Sequence, residues 1–157
     1  MFVRYYLDLP VPLVEAERAF LDDPVSWLPA AVREADEQGD RLLGEVGFGD
    51  GHRLDKRVEV TVGEAVRLTG AVMLPITWRA TGVGVVFPSL EGDLEVAALG
   101  PDRTQLAMSA RYRPPLGGVG RALDRALLHR VAEATVKDFV LRVRQAILDR
   151  LQAVGTE

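Results

Sequence analysis

The chain has 157 residues and no cysteine, with 48 % apolar and 27 % charged residues and a formal net charge of −4. That length fits one domain with one substantial core. The acidic balance argues against a nucleic-acid partner, and the lack of cysteine excludes disulfides, thiolate nucleophiles and thiolate metal sites.

Residues 2–9 alternate, with Val3, Tyr5, Leu7 and Leu9 on one face and Arg4, Tyr6 and Asp8 on the other, which predicts a half-buried strand. Pro10 and Pro12 end it, because proline cannot donate to a ladder. Residues 13–21 carry Leu13, Ala16, Ala19 and Phe20 at helical spacing. Asp23-Pro24 is a helix start, an N-cap followed by proline at the first helical position, and the helical piece it opens is predicted to pass Trp27 and reach about Ala35, disturbed near Pro29. Residues 34–40 are polar and predicted to end in a turn. Strands are expected over 41–49 and 52–62, joined by Asp50-Gly51, a two-residue hairpin whose central residues both tolerate positive φ. Residues 66–81 read as one long strand or as two pieces broken near Gly70 or Pro75, and Gly82-Val83-Gly84 as a break. Two more strands follow, 90–99 and 104–112, around the turn Gly100-Pro101-Asp102, the second with Leu106, Met108, Ala110 and Tyr112 on one side.

Arg113-Pro114-Pro115-Leu116-Gly117-Gly118 then closes a strand and opens the longest helix of the chain. Within it Leu127, Val131, Thr135, Phe139, Val143, Ile147 and Leu151 recur at every fourth position. At 3.6 residues per turn each such step advances the stripe by roughly 40°, so the stripe winds around the helix. A helix crossing a twisted sheet needs that pattern, because its two halves press on different surfaces. An ordinary core helix bent near 136–138 is the alternative. Its basic residues (Arg121, Arg125, Arg130, Lys137, Arg142, Arg144, Arg150) are interspersed with Asp124, Glu133, Asp138 and Asp149, a solvated mixed-charge face. Nowhere does an apolar run approach the ~20 residues that span a bilayer, and Met1-Phe2-Val3-Arg4 leads straight into the first strand without a signal-type stretch. A single domain over 1–157, without stable membrane insertion and cytoplasmic, is expected.

The order strand, helix pair, antiparallel strands, long C-terminal helix resembles that of the START-like, Bet v 1-like (SRPBCC) helix-grip superfamily. Three stretches are similar to its polyketide cyclase/dehydrase-like branch: Leu74-Pro75-Ile76-Thr77-Trp78-Arg79-Ala80-Thr81, Phe87-Pro88-Ser89-Leu90-Glu91-Gly92 and Tyr112-Arg113-Pro114-Pro115-Leu116-Gly117. The resemblance spans the whole chain in element order, and none of its stretches contains an obligatory catalytic residue. It implies an α+β helix-grip fold, with a curved antiparallel sheet of six to seven strands, two short helices and a long C-terminal helix. It also implies a cavity between sheet and helix for a lipid, sterol, polyketide or aromatic compound; no cofactor is expected.

If the last helix covers the inward sheet face, alternation nominates Phe48, Trp78, Met108 and Tyr112 as cavity residues, with Thr135 and Phe139 from the helix. Tyr112, Trp78 and Thr135 would supply the polar atoms. Equally, these residues fill a core, with Thr135 bonded to the carbonyl four residues back. Gly82, Gly84 and Phe87 form a candidate rim. His52 falls at the hairpin tip and His129 on the polar arc of the last helix, which leaves no histidine triad or zinc site. Asp22-Asp23 reads as capping. Glu91, Asp93 and Glu95 share the outward face of their strand, and Arg79 and Arg111 point opposite to Trp78 and Tyr112. Gly117-Gly118-Val119-Gly120 lacks nucleotide-loop spacing and permits the turn into the helix.

Three functions fit these residues. The first is a binding protein for a hydrophobic small molecule. The second is a metal-free cyclase, aromatase or dehydratase, for which no obvious histidine or buried acid presents itself. The third is an adaptor whose cavity is filled by its own side chains.

Overall fold

The computed structural model of the chain describes residues 1–45, 57–81, 89–113 and 125–156. Its elements run β1 (Phe2–Leu9), α1 (Leu13–Leu21), α2 (Pro24–Glu45), β2 (Arg57–Val62), β3 (Val66–Leu68), β4 (Ala71–Thr81), β5 (Ser89–Gly100), β6 (Arg103–Arg113) and α3 (Arg125–Gly155). The strands form one antiparallel sheet in the order β1-β6-β5-β4-β2, with β3 also paired to β4. The sheet is curved and open, the long C-terminal helix lies against it, and the architecture is the helix-grip fold.

Period-two patterning puts one side of every strand into the core. Across the inner face the register lines up Val3, Ala110, Gly92 and Ile76 in one row and Tyr5, Met108, Leu94 and Leu74 in the next. Outward rows carry Phe2, Arg111, Glu91 and Thr77, then Arg4, Ser109, Asp93 and Pro75. Glu91, Asp93, Arg79 and Arg111 are exposed there, as alternation required. The extended region 66–81 breaks at Gly70, whose φ of +73° supplies the left-handed turn residue between Leu68 and Ala71. Pro75 stays inside β4 opposite the gap between β2 and β3. Its carbonyl faces that gap and accepts the Gly63 N–H at 2.8 Å, so its missing N–H costs the ladder no bond.

The helix pair departs from the sequence expectation. α2 runs to Glu45 as one helix of 22 residues, with Pro29 inside it, so residues 34–40 make no turn and 41–45 no strand. The reason is tertiary. Leu28, Ala31, Val32, Ala35, Asp36 and Gly39 form one buried face at helical spacing, and the polar residues around them (Arg33, Glu34, Glu37, Arg41) face water. The Asp50-Gly51 hairpin, His52 and the glycines before the last helix lie outside the described residues.

In α3 the winding stripe is buried from Val131 through Thr135, Phe139 and Val143 to Ile147. Leu128, Ala132, Val136 and Val140 add a second buried row along the first half, and α3 packs on α2 as well as on the sheet. The far end of α3 is tied to the α1–α2 corner. Arg150 donates to the Asp22 carbonyl at 2.8 Å and stacks over the Trp27 ring, and Trp27 donates its indole N–H to the same carbonyl. Asp22 ends α1, and Asp23 takes a positive φ of 46° to turn the chain into α2. No described helix is long and apolar enough to cross a membrane.

Candidate functional site

One inner row differs from the others in chemistry. Register places Tyr112 beside Leu90, Leu90 beside Trp78, and Trp78 beside Val60. Trp78 is only 2 % exposed and meets the Phe139 ring of α3 edge-on, with centroids 5.2 Å apart and planes at 66°. That edge-to-face geometry suits the two ring quadrupoles and adds about 1 kcal/mol to the burial itself.

Across from this row α2 and α3 approach closely. A side chain at Gly39 would place its Cβ 2.6 Å from Thr135 Oγ1, so only glycine allows the contact. The Thr135 hydroxyl donates to the Val131 carbonyl at 2.7 Å, leaving its lone pairs free to accept. One turn earlier on α2, Asp36 is 6 % exposed in an otherwise apolar helix face. Charged groups are seldom buried so deeply. Burial raises the pKa of the Tyr112 phenol above its usual value, and the negative charges of Asp36 and then Asp40 raise it further. The phenol therefore remains a protonated donor well beyond neutral pH.

Among the sequence candidates, Trp78, Met108, Tyr112, Thr135 and Phe139 are all buried on the inner side. Trp78 and Tyr112 flank Leu90 and Phe139 meets the Trp78 ring, whereas Met108 lies two rows away, paired with Tyr5 and Leu94. Phe48, Gly82, Gly84 and Phe87 lie outside the described residues. His129 is half exposed on the polar arc and pairs with Glu133 at 3.0 Å. Asp36 and Asp40 were missed, and Asp36 corrects the view that the chain offers no buried acid. A helical reading of 28–39 exposes the signal: an aspartate on the apolar stripe Leu28, Val32, Ala35, Gly39.

The raised phenol pKa has a pH signature. Below about pH 10 folded and unfolded chains both keep the Tyr112 proton, and it makes no difference to stability. Above that the unfolded chain releases it while the folded chain holds it, so stability falls as pH rises. Tyr112→Phe removes this contribution. In urea titrations above pH 10 the variant should lose stability less steeply than the parent, by up to about 1.4 kcal/mol per pH unit. Parallel slopes would mean that Tyr112 ionises as freely folded as unfolded.

No family model and no curated protein matches the sequence. Among solved structures, a conserved protein from Geobacillus kaustophilus superposes with a TM-score of 0.56 at 15 % identity, over 95 % of this chain and 96 % of that one. A Thermus thermophilus protein aligns with a TM-score of 0.49 at 16 % identity over 95 % and 98 % of the two chains. The Zhui aromatase/cyclase from a Streptomyces species aligns at 0.48 and 13 % identity over 99 % and 98 %. The Geobacillus likeness bears on the fold alone.

Proposed function

We propose that the chain binds a hydrophobic small molecule between the inner sheet face and α3, at the end lined by Trp78, Leu90, Tyr112, Thr135 and Phe139. The observation that carries this reading is the buried Tyr112 phenol, 4 % exposed in the same inner row as the apolar Leu90 and Trp78. Ligand sites are mostly apolar with a few placed polar groups, and this row has that composition. Apolar contact would give affinity at about 25 cal/mol per Å² before the costs of ordering, and the phenol would orient an oxygen-bearing ligand such as a polyketide, sterol, lipid or other aromatic.

An enzyme of metal-free cyclase or dehydratase type is the second reading, favoured by Asp36. A buried carboxylate beside a phenol can pass a proton to or from a bound oxygen. The two readings separate on Asp36→Asn: a carrier variant binds and releases its ligand unchanged, and an enzyme variant binds but no longer converts it.

Native mass spectrometry of the purified protein, followed by organic extraction, tests the reading common to both. A stoichiometric apolar adduct that Tyr112→Phe weakens is the expected result. A bare chain that shows no thermal shift across lipid, sterol and polyketide panels would turn the assignment to an adaptor with a filled core.

A further inference from the structure

β1 is an edge strand, and along its free edge α3 overhangs a groove of about 360 Å³. Val3, Tyr5 and Ala134 line the groove, and Arg4, Arg130 and Lys137 stand around it. All three cations are exposed, and none has an acidic partner among the described residues. The one acid lining the groove, Glu133, is engaged by His129 at 3.0 Å. Arg130, Lys137 and Arg144 are spaced seven residues apart, two turns each, so they form a nearly straight line along α3 of roughly 21 Å. Asp8, at the far end of the flank, is paired with Arg103.

The outward rim of β1 is aromatic. Phe2 and Tyr6 flank Arg4 on the outward side of β1 and are 61 % and 60 % exposed. Backbone donors add to this rim. Tyr112 N–H donates to the Met1 carbonyl at 2.8 Å, so residue 1 and every second residue after it turn their amides toward β6. The amides of Phe2, Arg4 and Tyr6 point to the free edge. A chain of net charge −4 thus carries a flank of unpaired cations beside two exposed aromatic rings. Cations that meet phosphates, with aromatic rings at headgroup depth, are the chemistry of an interfacial contact.

We propose that this flank docks the protein edge-on onto the surface of an anionic lipid bilayer, with Arg4, Arg130 and Lys137 on lipid phosphates, a headgroup in the groove, and Phe2 and Tyr6 in the interface. The contact is peripheral and reversible, and it does not depend on what the inner site binds. The outward acids Glu91 and Asp93 sit on β5, two strands in from the edge, where they line a second groove that Phe2 borders.

Sedimentation with vesicles of phosphatidylcholine, alone or mixed with phosphatidylglycerol, tests the proposal. Binding to the mixed vesicles only, lost at high salt, is expected. Each cation near an anionic surface is worth roughly a fivefold change in partition, so Arg130→Glu with Lys137→Glu should lower partition at least tenfold. Arg18→Glu with Arg33→Glu makes the same change of net charge on exposed positions away from the flank and should leave binding close to that of the parent. Phe2→Ser with Tyr6→Ser should weaken binding while preserving its salt dependence. Circular dichroism checks that each variant keeps its fold. The proposal is overturned by equal binding to both vesicle types, by no binding to either, or by equal losses in the flank and control variants. It is also overturned if soluble glycerophosphate displaces the protein, which would assign the groove to a free phosphate, or if only a DNA duplex is bound.

Discussion

Replacing Gly92 by alanine should remove about 3 kcal/mol of stability, at the upper end of what overpacking costs. Gly92 lies in the middle of β5 on the inner face, between Ile76 and Ala110. A Cβ there would fall 2.3 Å from the Ser109 carbonyl oxygen and 2.8 Å from the Ala110 Cα. Both are backbone atoms, so no rotamer change can make room and the β5–β6 ladder itself has to open. A glycine in a strand interior is weak by propensity and persists where another backbone comes close. Gly155→Ala, where an added Cβ meets nothing within 4 Å, is the control and should change stability by no more than about 0.5 kcal/mol. Urea unfolding of the two variants measures both effects. A Gly92→Ala loss as small as that of the control, about 0.5 kcal/mol, would show that β5 and β6 are not so close.

Gly39→Ala should destabilise by about 2 kcal/mol although alanine is the better helix former by about 1 kcal/mol. The new Cβ would lie 2.6 Å from Thr135 Oγ1 and 3.7 Å from Val131 Cγ1. Thr135 cannot turn away cheaply, because its hydroxyl is bonded to the Val131 carbonyl and its branched side chain has few rotamers. Removing that hydroxyl reverses the sign. In a Thr135→Ala background Gly39→Ala should stabilise by up to about 1 kcal/mol, the intrinsic helix gain. The double-mutant cycle therefore reports a coupling of about 3 kcal/mol between α2 and α3. Additive effects would place the two helices further apart and would remove Thr135 from the wall of the candidate site.

The parts of the fold that can be read from the chain are those governed by local period. Alternation from Phe2 to Leu9 gives β1 its bounds, and the four-residue recurrence from Val131 to Ile147 matches the buried winding face of α3. α2 was misread past Ala35 because its solvent face supplies most of the polar residues in 34–40, and Gly39 resembles a turn glycine when it is in fact a packing contact. Composition alone cannot separate a polar turn from the wet side of a helix. Period can, and Leu28, Val32, Ala35 and Gly39 carry it.

The site was legible in its members and not in its arrangement. Trp78, Tyr112 and Phe139 follow from alternation and from the helix stripe. That Tyr112 and Trp78 share Leu90 as a neighbour depends on strand register, which is set by pairing between segments distant in sequence. Asp36 enters only once α2 is seen to pack on α3. Its effect on Tyr112 is a property of the assembled core, where low exposure strengthens the charge interaction.

The most direct test of ligand binding between the sheet and α3 uses Trp78 as a local reporter. Trp27 and Trp78 are the two tryptophans of the chain, so Trp27→Phe leaves Trp78 alone. Titration of that variant with N-phenyl-1-naphthylamine, a neutral aromatic probe, should quench Trp78 emission by energy transfer with saturable one-to-one stoichiometry. Tyr112→Phe or Phe139→Ala should shift the midpoint. Probe fluorescence that rises without saturating, or that leaves Trp78 emission unchanged, would contradict a ligand site beside this row.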